Sequence, residues 1–418
     1  MDLREQRGRE IADRMRIVKR GDAWVVPSQS KGGGPYRVTL EANDLRCTCP
    51  DFELRAKPCK HIWACAYFVQ HQTVTETIHD DGSTTKTTVT ETATAVRISY
   101  PQNWPAYNRA QTQEKALFCG LLRDLASVVP EPEQKRGRPR IPMADAIFCA
   151  AYKVYSTGSA RRFMTDLREA HAAGLVSKAW HFNSVLNGIE DSDLTPILYE
   201  LVTLTAAPLR AVESTFAVDS TGFGTTQYYR HFTAKYGGQE IEAHDWLKLH
   251  ALVGTTTNVI CAASVTDRHA HDSPQFAPLV QVASKSFDME TVTADAAYGS
   301  RANVALVAEI GASPYIALRS NAQAVNVRSP GRSKDSAAWR WLWHMYNLHR
   351  DEFLAKYHAR SNVESTFSSM KRVFGDTLRS KGRIAQTNEL LLKVIVHNIV
   401  CLVHSMFELD VTLPSFTR

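Results

Sequence analysis

Cysteine and histidine residues cluster near the N-terminus at spacings that suit a metal ion. Cys47 and Cys49 form one pair, and Cys59 and His61 form a second pair after a gap of nine residues. Three thiolates and one imidazole are a ligand set that Zn²⁺ prefers in closed tetrahedral sites. The pattern predicts one structural zinc ion, with Cys65 as a packed thiol or a substitute ligand. The alternative is a cluster of core cysteines without metal.

Two aspartates follow apolar runs that are typical of buried strands. Asp219 comes after residues 216–218 and Asp295 after residues 292–294, and small or turn-forming residues follow each acid. Both carboxylates are therefore expected where a strand meets a turn, and two strand-end aspartates can meet in space. A two-metal site for phosphodiester cleavage needs such carboxylates to hold its two divalent ions.

A third acid lies in a helical pattern together with two cations and a phenol. Tyr357, Arg360, Glu364 and Lys371 are separated by 3, 4 and 7 residues. At about 100° per residue these offsets place the four side chains on one helical face. The carboxylate can bind metal, while the arginine fork and the lysine ammonium contact phosphate oxygens. The alternative is a solvated amphipathic helix with ordinary ion pairs.

The segments that must position these acids have an α/β texture. Beyond residue 211, short β runs alternate with turns and helix-like stretches, which indicates a mixed sheet flanked by helices. Helical patterns over residues 337–374 and 388–407 would cover the faces of that sheet. The predicted strands are residues 215–218, 247–253, 259–265, 291–294 and 314–318.

The cysteine pairs lie in a smaller predicted unit. Residues 24–26 and 36–40 predict strands, and the apolar segment 62–69 predicts a helix. Residues 73–94 are rich in threonine, which suits a two-stranded ribbon about as well as a polar linker. The predicted domains are a zinc module (1–72), a ribbon or linker (73–100), a helical DNA-binding region (101–210) and an α/β catalytic domain (211–410).

A basic segment lies inside the helical region. Arg136, Arg138 and Arg140 surround Gly137 and Pro139, and the proline blocks continuation of a helix. The segment resembles the core of an AT-hook, an extended arm that lies in the narrow minor groove of DNA, where cations are favoured. A solvated basic linker is an equal alternative.

Two further patterns are compatible with DNA contacts. Residues 143–155 and 161–173 fit a helix-turn-helix, although most such helix pairs only pack a core. Trp339 and Trp343 alternate with cations, an arrangement that can stack on exposed bases. Their spacing of one helical turn is nevertheless more typical of core residues.

The length, composition and net charge of the chain limit the classes of protein to which it can belong. The chain has 418 residues, of which 44% are hydrophobic and 22% charged, so it is long enough for two or three domains. Its formal net charge of +6 permits polyanion binding without requiring it. Lys393 and His397 interrupt the apolar stretch 390–407, which predicts a buried helix and no membrane span. The N-terminal residues lack the apolar run of a secretory signal, so a cytoplasmic, nucleoid-associated location is expected.

Two parts of the sequence resemble known families. Residues 20–70, with their Cys-x-Cys and Cys-x-His pairs, resemble the SWIM zinc finger. About residues 110–405 resemble prokaryotic insertion-sequence transposases of the DDE type. That second resemblance rests on the first and second aspartate motifs at Asp219 and Asp295 and on a Y-R-E-K signature at Tyr357, Arg360, Glu364 and Lys371.

The second resemblance implies a ribonuclease-H-like core, a five-stranded mixed sheet flanked by helices. It implies that Asp219, Asp295 and Glu364 converge on two Mg²⁺ (or Mn²⁺) ions. It also implies that Tyr357, Arg360 and Lys371 hold phosphates of the transposon end. The alanine pair after Asp295, where many relatives have a charged or glycine residue, leaves the subgroup open.

The function expected from these patterns is that of a DNA transposase. Such an enzyme binds the terminal inverted repeats of its own element, acts on double-stranded transposon ends and target DNA, and works as at least a homodimer. Two alternatives remain open: a catalytically silent or domesticated DNA-binding zinc protein, and a nuclease of the same fold that cuts without joining.

Overall fold

The computed structural model of the chain contains two compact units, Met1–Pro101 and Gln102–Arg418. The boundary between the units lies just after residues 73–100, the segment predicted as a ribbon or linker. The finer divisions predicted inside each unit stay predictions. The structure describes residues 3–15, 17–28, 34–41, 44–55, 57–70, 72–78, 84–90, 103–134, 137, 139–225, 245–324, 336–412 and 416.

The first unit is a small antiparallel sheet with short helices. Its elements are α1 (Leu3–Arg14), β1 (Val18–Arg20), β2 (Ala23–Val26), β3 (Tyr36–Glu41), β4 (Asp44–Cys47), α2 (Pro50–Arg55), α3 (Lys60–Gln70), β5 (Gln72–Ile78) and β6 (Thr84–Thr90). Strands β1 to β4 form one sheet in sequence order. The core of this unit holds eleven buried apolar side chains, four of which are cysteines. So small a core stabilises a fold weakly by apolar burial alone.

The threonine-rich segment contains an antiparallel ribbon. Strands β5 and β6 pair in register from Gln72 opposite Thr90 to Ile78 opposite Thr84. Their β-branched residues favour this extended conformation. Residues 79–83, which connect the two strands, lie outside the described residues.

Helix α1 packs against α3 at close range, and the sequence patterns did not predict it. Among the residues of this charged helix whose burial is described, Ile11 is the one fully buried large apolar residue. Its apolar periodicity is therefore too weak to stand out. A Cβ on Gly8 would lie 2.5 Å from the Cβ of Trp63. Glycine is therefore required at this position for the two helices to approach.

The second unit begins with helices and continues into a five-stranded sheet. The leading helices are α4 (Trp104–Ser127), α5 (Met143–Tyr155), α6 (Ala160–Ala172), α7 (Phe182–Ile189) and α8 (Leu194–Ala206). The sheet and its flanking helices are β7 (Thr215–Gly224), β8 (Trp246–Gly254), β9 (Ile260–Asp267), α9 (Ser273–Ala283), β10 (Thr291–Ala294), α10 (Arg301–Glu309), β11 (Ser313–Ile316), α11 (Ala337–Leu348), α12 (Arg350–Tyr357), α13 (Ser361–Phe374) and α14 (Arg383–Glu408).

The sheet has the mixed topology expected of a ribonuclease-H-like core. Its strand order is β11-β10-β7-β8-β9. Strands β7, β10 and β11 are parallel, whereas β8 is antiparallel to both β7 and β9. The predicted fold class, an α/β domain with a mixed sheet flanked by helices, is confirmed. The central strand β7 carries Asp219, and its neighbour β10 ends directly before Asp295.

Helix α14 is the apolar segment that the sequence assigned to the interior. It is long and apolar enough to cross a membrane by composition, yet 78% of its most apolar window is buried inside the protein. It packs against α4, α5 and α8. Its polar residues are bonded internally: Lys393 Nζ donates to the carbonyls of Gly375 and Thr377, each at 2.9 Å. This bonding explains how a core helix tolerates a lysine.

Asp145 ties the leading helices together, so its replacement should destabilise the second unit. Its buried carboxylate accepts hydrogen bonds from Arg123 Nη1 at 3.1 Å, Trp180 Nε1 at 3.0 Å and the Ser177 amide at 3.0 Å. Asp145→Ala would leave these donors without an acceptor. We expect a loss of about 3–5 kcal/mol in the free energy of unfolding, measured by urea denaturation.

The control for this prediction is Asp124→Ala, which removes an exposed acid of the same helix bundle and should leave the free energy of unfolding unchanged. Burial alone raises the pKa of Asp145, but the hydrogen bonds of Ser177 and Trp180 outweigh burial and lower it. The stabilisation by Asp145 is therefore present above its unfolded-state pKa and is lost as the pH falls through the folded value. Equal stability of the two variants would contradict this assignment.

Candidate catalytic and metal sites

The two cysteine and histidine pairs meet in the core of the first unit. The potential ligand atoms of Cys47, Cys49, Cys59 and His61 all lie within 4.8 Å of one another. His61 Nδ1 is 3.8 Å from the Cys47 sulfur and 3.9 Å from the Cys59 sulfur. Tetrahedral zinc with ordinary bond lengths separates sulfur and nitrogen ligands by about 3.6 Å. The donor set and its spacing therefore fit one zinc ion.

Local structure explains how the four ligands converge. Cys47 ends β4, Cys49 lies in the turn before α2, and His61 lies in the first turn of α3. The Tyr36 ring packs against the imidazole, with centroids 4.5 Å apart and ring planes tilted by 35°. Cys65 is buried but lies outside the ligand group, as expected of a packed thiol.

The surroundings of Cys59 favour the ionised form of its thiol. The hydrogen bond from Cys47 is the main cause that lowers the pKa of Cys59, and the His61 contact also lowers it. A thiolate is the form of cysteine that binds metal. The protein part of the site is thus prepared for a cation.

Asp219 and Asp295 lie side by side on neighbouring strands of the second unit. Val218 is the register partner of Ala294 in the parallel pair of β7 and β10. Asp219 directly follows Val218, and Asp295 directly follows Ala294. Adjacent strands are about 4.8 Å apart. Burial raises the pKa of Asp219, and the charges of Asp295 and Glu364 raise it further. Excess negative charge therefore accumulates where these acids meet.

The position of Asp219 in its strand differs from the sequence expectation. The prediction placed it where a strand meets a turn, but β7 continues to Gly224 because β8 pairs with it along its whole length. Asp295 does follow the end of its strand. The amide of Ser220 donates to Asp219 Oδ1 at 2.8 Å, and the amide of Ala297 donates to Asp295 Oδ1 at 2.9 Å. These bonds fix the orientation of both carboxylates.

Arg360 links the aspartate of the central strand to the third acid. Its Nη1 lies 3.1 Å from Asp219 Oδ2, and its Nη2 lies 2.6 Å from Glu364 Oε1. Among the described residues, the three acids do not form a group of ligand atoms as closely spaced as the cysteines and His61. The guanidinium occupies the space between two of the acids.

The four residues with helical spacing face the sheet, although they do not share one helix. Tyr357 ends α12, Arg360 lies in a 3₁₀ turn (His358–Arg360), and Glu364 and Lys371 belong to α13. The turn still brings Arg360 within 5.8 Å of the Tyr357 ring. Lys371 Nζ donates to Thr221 Oγ1 at 2.6 Å. Arg360 therefore lies beside Asp219 of β7, and Lys371 lies beside Thr221 of the same strand.

A second polar network lies beside Asp219, and sequence reasoning assigned no role to it. Asp272 Oδ1 accepts from Ser220 Oγ at 2.9 Å and from Lys248 Nζ at 3.0 Å. Ser220 thus contacts both Asp219 and Asp272. The buried Tyr298 hydroxyl has no hydrogen-bond partner in the described part of the chain. Burial is the main cause that raises the pKa of Tyr298, and the charges of Asp272, Asp219 and Asp295 raise it further. The signal in the sequence was the alternation of Lys248 and His250 on one face of β8.

The remaining predicted DNA contacts are only partly described. Arg140 is exposed, while Arg136 and Arg138 lie outside the described residues. Trp339 and Trp343 donate their indole N–H groups to the carbonyls of Gln323 and Ala322, at 2.9 and 3.1 Å. Both rings therefore serve packing, as the spacing favoured. The exposed ring of this helix belongs to Trp341.

Fold and site together define a mixed α/β domain whose central strand and its parallel neighbour carry acids next to basic side chains. Residues 210–399 match the family described as Transposase DDE domain, and residues 36–69 match the SWIM zinc finger. The first match covers the sheet of the second unit, and the second covers the four cysteine and histidine residues of the first unit. The assignment to the Y-R-E-K subgroup stays a prediction.

The chain was also compared with curated proteins and with solved structures. No curated protein matches the chain. Among solved structures, the chain is similar to a piggyBac transposase in a cryo-EM structure of its synaptic complex with hairpin DNA. The sequence identity is 11%, the match covers 77% of this chain and 79% of that chain, and the TM-score is 0.36.

Proposed function

We propose that the protein is a DNA transposase that cuts and joins DNA at the site formed by Asp219, Asp295 and Glu364. The observation that supports this proposal is that Arg360 contacts both Asp219 and Glu364, while Asp295 directly follows the strand that pairs in parallel with the strand of Asp219. All four residues lie in the part of the chain that matches the transposase DDE domain. Carboxylate oxygens are the ligands that Mg²⁺ prefers. Three carboxylates and one guanidinium leave an excess of negative charge that suits divalent cations.

The residues of the chain would divide the work as follows. Asp219, Asp295 and Glu364 would hold two Mg²⁺ (or Mn²⁺) ions, which supply Lewis-acid stabilisation of charge on the phosphate oxygens. Arg360 and Lys371 would bind phosphate oxygens, with Tyr357 beside them. Water would attack the phosphorus at the transposon end and lose a proton, and the 3′ oxygen would leave and take up a proton. The resulting 3′ hydroxyl would then attack a phosphorus of target DNA, lose its proton and displace the 3′ oxygen of the target strand, which takes up a proton.

DNA recognition would involve the leading helices and the basic arm. Arg161 and Arg162 are exposed at the start of α6, where they can contact phosphates. The arm with Arg136, Arg138 and Arg140 would extend this contact into the minor groove. We also propose that two copies of the chain pair two transposon ends, and that the zinc finger binds one structural Zn²⁺.

The test is a strand-transfer assay with the purified full chain. The substrate is a DNA duplex that carries the ends of the element, with one 3′ end already cut, and a supercoiled plasmid is the target. We expect joined products with Mg²⁺ and none with EDTA. Cleavage of uncut ends without joining would indicate a nuclease, and binding without cleavage would indicate a silent DNA-binding protein; either result would reject the proposal.

A further inference from the structure

The guanidinium of Arg360 serves as the counter-ion of two carboxylates that are proposed to bind metal. It contacts Asp219 at 3.1 Å and Glu364 at 2.6 Å, and these distances are those of charge-assisted hydrogen bonds. A divalent cation bound by the same two carboxylates would place like charges next to each other. The guanidinium and the metal therefore compete for these oxygens.

Arg360 is also placed to leave this position. Its side chain is 22% exposed and that of Glu364 is 59% exposed, so one of its two bonds lies close to solvent. It sits at the C-terminal end of a 3₁₀ turn between two helices, and only its side chain needs to move. A phosphate, like a carboxylate, offers two oxygens that the planar guanidinium can bind at the same time.

Lys371 provides an internal contrast. Its ammonium group donates to the Thr221 hydroxyl and forms no ion pair with the three acids in the described part of the chain. Transfer of Lys371 to a phosphate would therefore release no carboxylate. Arg360 differs because two of its N–H groups bond to the carboxylates themselves, so a movement of the guanidinium onto a phosphate breaks these two bonds.

We propose that Arg360 couples DNA binding to metal binding. In the free protein it neutralises Asp219 and Glu364 and holds metal affinity low. When a DNA phosphate takes the guanidinium, the two carboxylates become available and metal affinity rises. This inference rests on the proposed function, because it concerns the same site and its two ligands.

The coupling is reciprocal, so it can be measured from either side. Each ligand changes the affinity for the other by the same factor, and such factors are typically about 5- to 150-fold. The probe is Mn²⁺, whose binding to the full-length protein is followed by electron paramagnetic resonance of the free ion. Titrations are done without DNA and with a saturating mixed-sequence duplex, after subtraction of Mn²⁺ bound by the duplex alone.

The informative variant is Arg360→Ala. Without DNA it should bind Mn²⁺ about 5- to 150-fold more tightly than wild type, and addition of the duplex should change this affinity little. Wild type should gain affinity for Mn²⁺ by a similar factor when the duplex is added. Arg360→Lys, which keeps the charge but lacks the fork, should fall between the two.

A matched variant tests whether the effect is specific. Arg372→Ala removes the same charge from an exposed position of α13, and it should keep the wild-type dependence of Mn²⁺ affinity on DNA. Thermal unfolding of each zinc-loaded variant without added divalent ions and with Mn²⁺ shows whether it is folded and how much Mn²⁺ stabilises it.

The result that overturns the inference is equal Mn²⁺ affinity of Arg360→Ala and wild type without DNA, or a wild-type affinity that the duplex does not raise. If Asp219→Asn abolishes Mn²⁺ binding in that experiment, the metal site stands and only the coupling is wrong. If wild type binds no Mn²⁺, or binds it equally well after Asp219→Asn, the proposed catalytic site itself is wrong, and the coupling is rejected with it.

Discussion

Asp219→Asn should abolish magnesium-dependent DNA cleavage and joining while the protein still folds and binds DNA. Asp219 is the acid that adjoins Asp295 across the parallel strands and also contacts Arg360. An amide at this position removes one negative charge and one metal ligand from the site. A metal ion contributes several kcal/mol of charge stabilisation in the transition state, so we expect a loss of about 10³-fold or more in the rate of strand transfer.

The measurement compares single-turnover strand transfer of wild type, Asp219→Asn and Asp288→Asn. Asp288 is an exposed acid just before β10, and its replacement should leave the rate unchanged. DNA affinity, measured in EDTA so that no divalent ion contributes, should be no weaker in Asp219→Asn than in wild type. Retention of wild-type joining by Asp219→Asn would mean that the chemistry occurs elsewhere in the chain.

The strands before Asp219 and Asp295 could be predicted from the sequence because buried parallel strands have a recognisable apolar pattern. Continuous apolar runs before Asp219 and Asp295 are typical of strands covered on both faces. The structure places both runs in the sheet as neighbours. The length of β7 beyond Asp219 could not be predicted, since it depends on pairing with β8, a strand that begins at Trp246.

The spacing of the four residues around Glu364 predicted one continuous helix, but the structure divides them between two helices and a turn. Tyr357, Arg360, Glu364 and Lys371 do face the sheet, yet a 3₁₀ turn interrupts the helix between Tyr357 and Ser361. Successive side chains are about 100° apart around an α-helix and about 120° apart around a 3₁₀ helix, a difference of only about 20° per residue. Periodicity over one turn is therefore too coarse to reveal the break.

The polar network around Asp272 shows what a linear pattern cannot reveal. Ser220, Lys248 and Asp272 come from two strands and the turn before α9, and each looks like an ordinary polar residue in its own segment. Only the register of β7 and β8, with Ser220 opposite His250, brings them together. Sequence spacing identifies residues that share an element more readily than residues that share a site.

Removal of zinc should unfold the first unit and leave the second unit intact. The first unit has a core of eleven buried apolar residues, and three of these, Cys47, Cys49 and Cys59, belong to the ligand group with His61. Structural zinc contributes about 10–16 kcal/mol of apparent binding free energy to small domains. A typical domain is stable by only about 5–15 kcal/mol. Without the ion, three thiols and an imidazole in this core have no strong partner.

The variant that tests this prediction is Cys59→Ala, measured beside wild type with and without a zinc chelator. Amide hydrogen exchange should show loss of protection in residues 17–70 for the variant and for chelated wild type, with unchanged protection in β7 to β11. Cys65→Ala, which replaces a buried cysteine outside the ligand group, should keep its protection and its zinc. Native protection of residues 17–70 in Cys59→Ala would show that apolar packing suffices, and a simultaneous loss in the sheet would show that the two units do not fold independently.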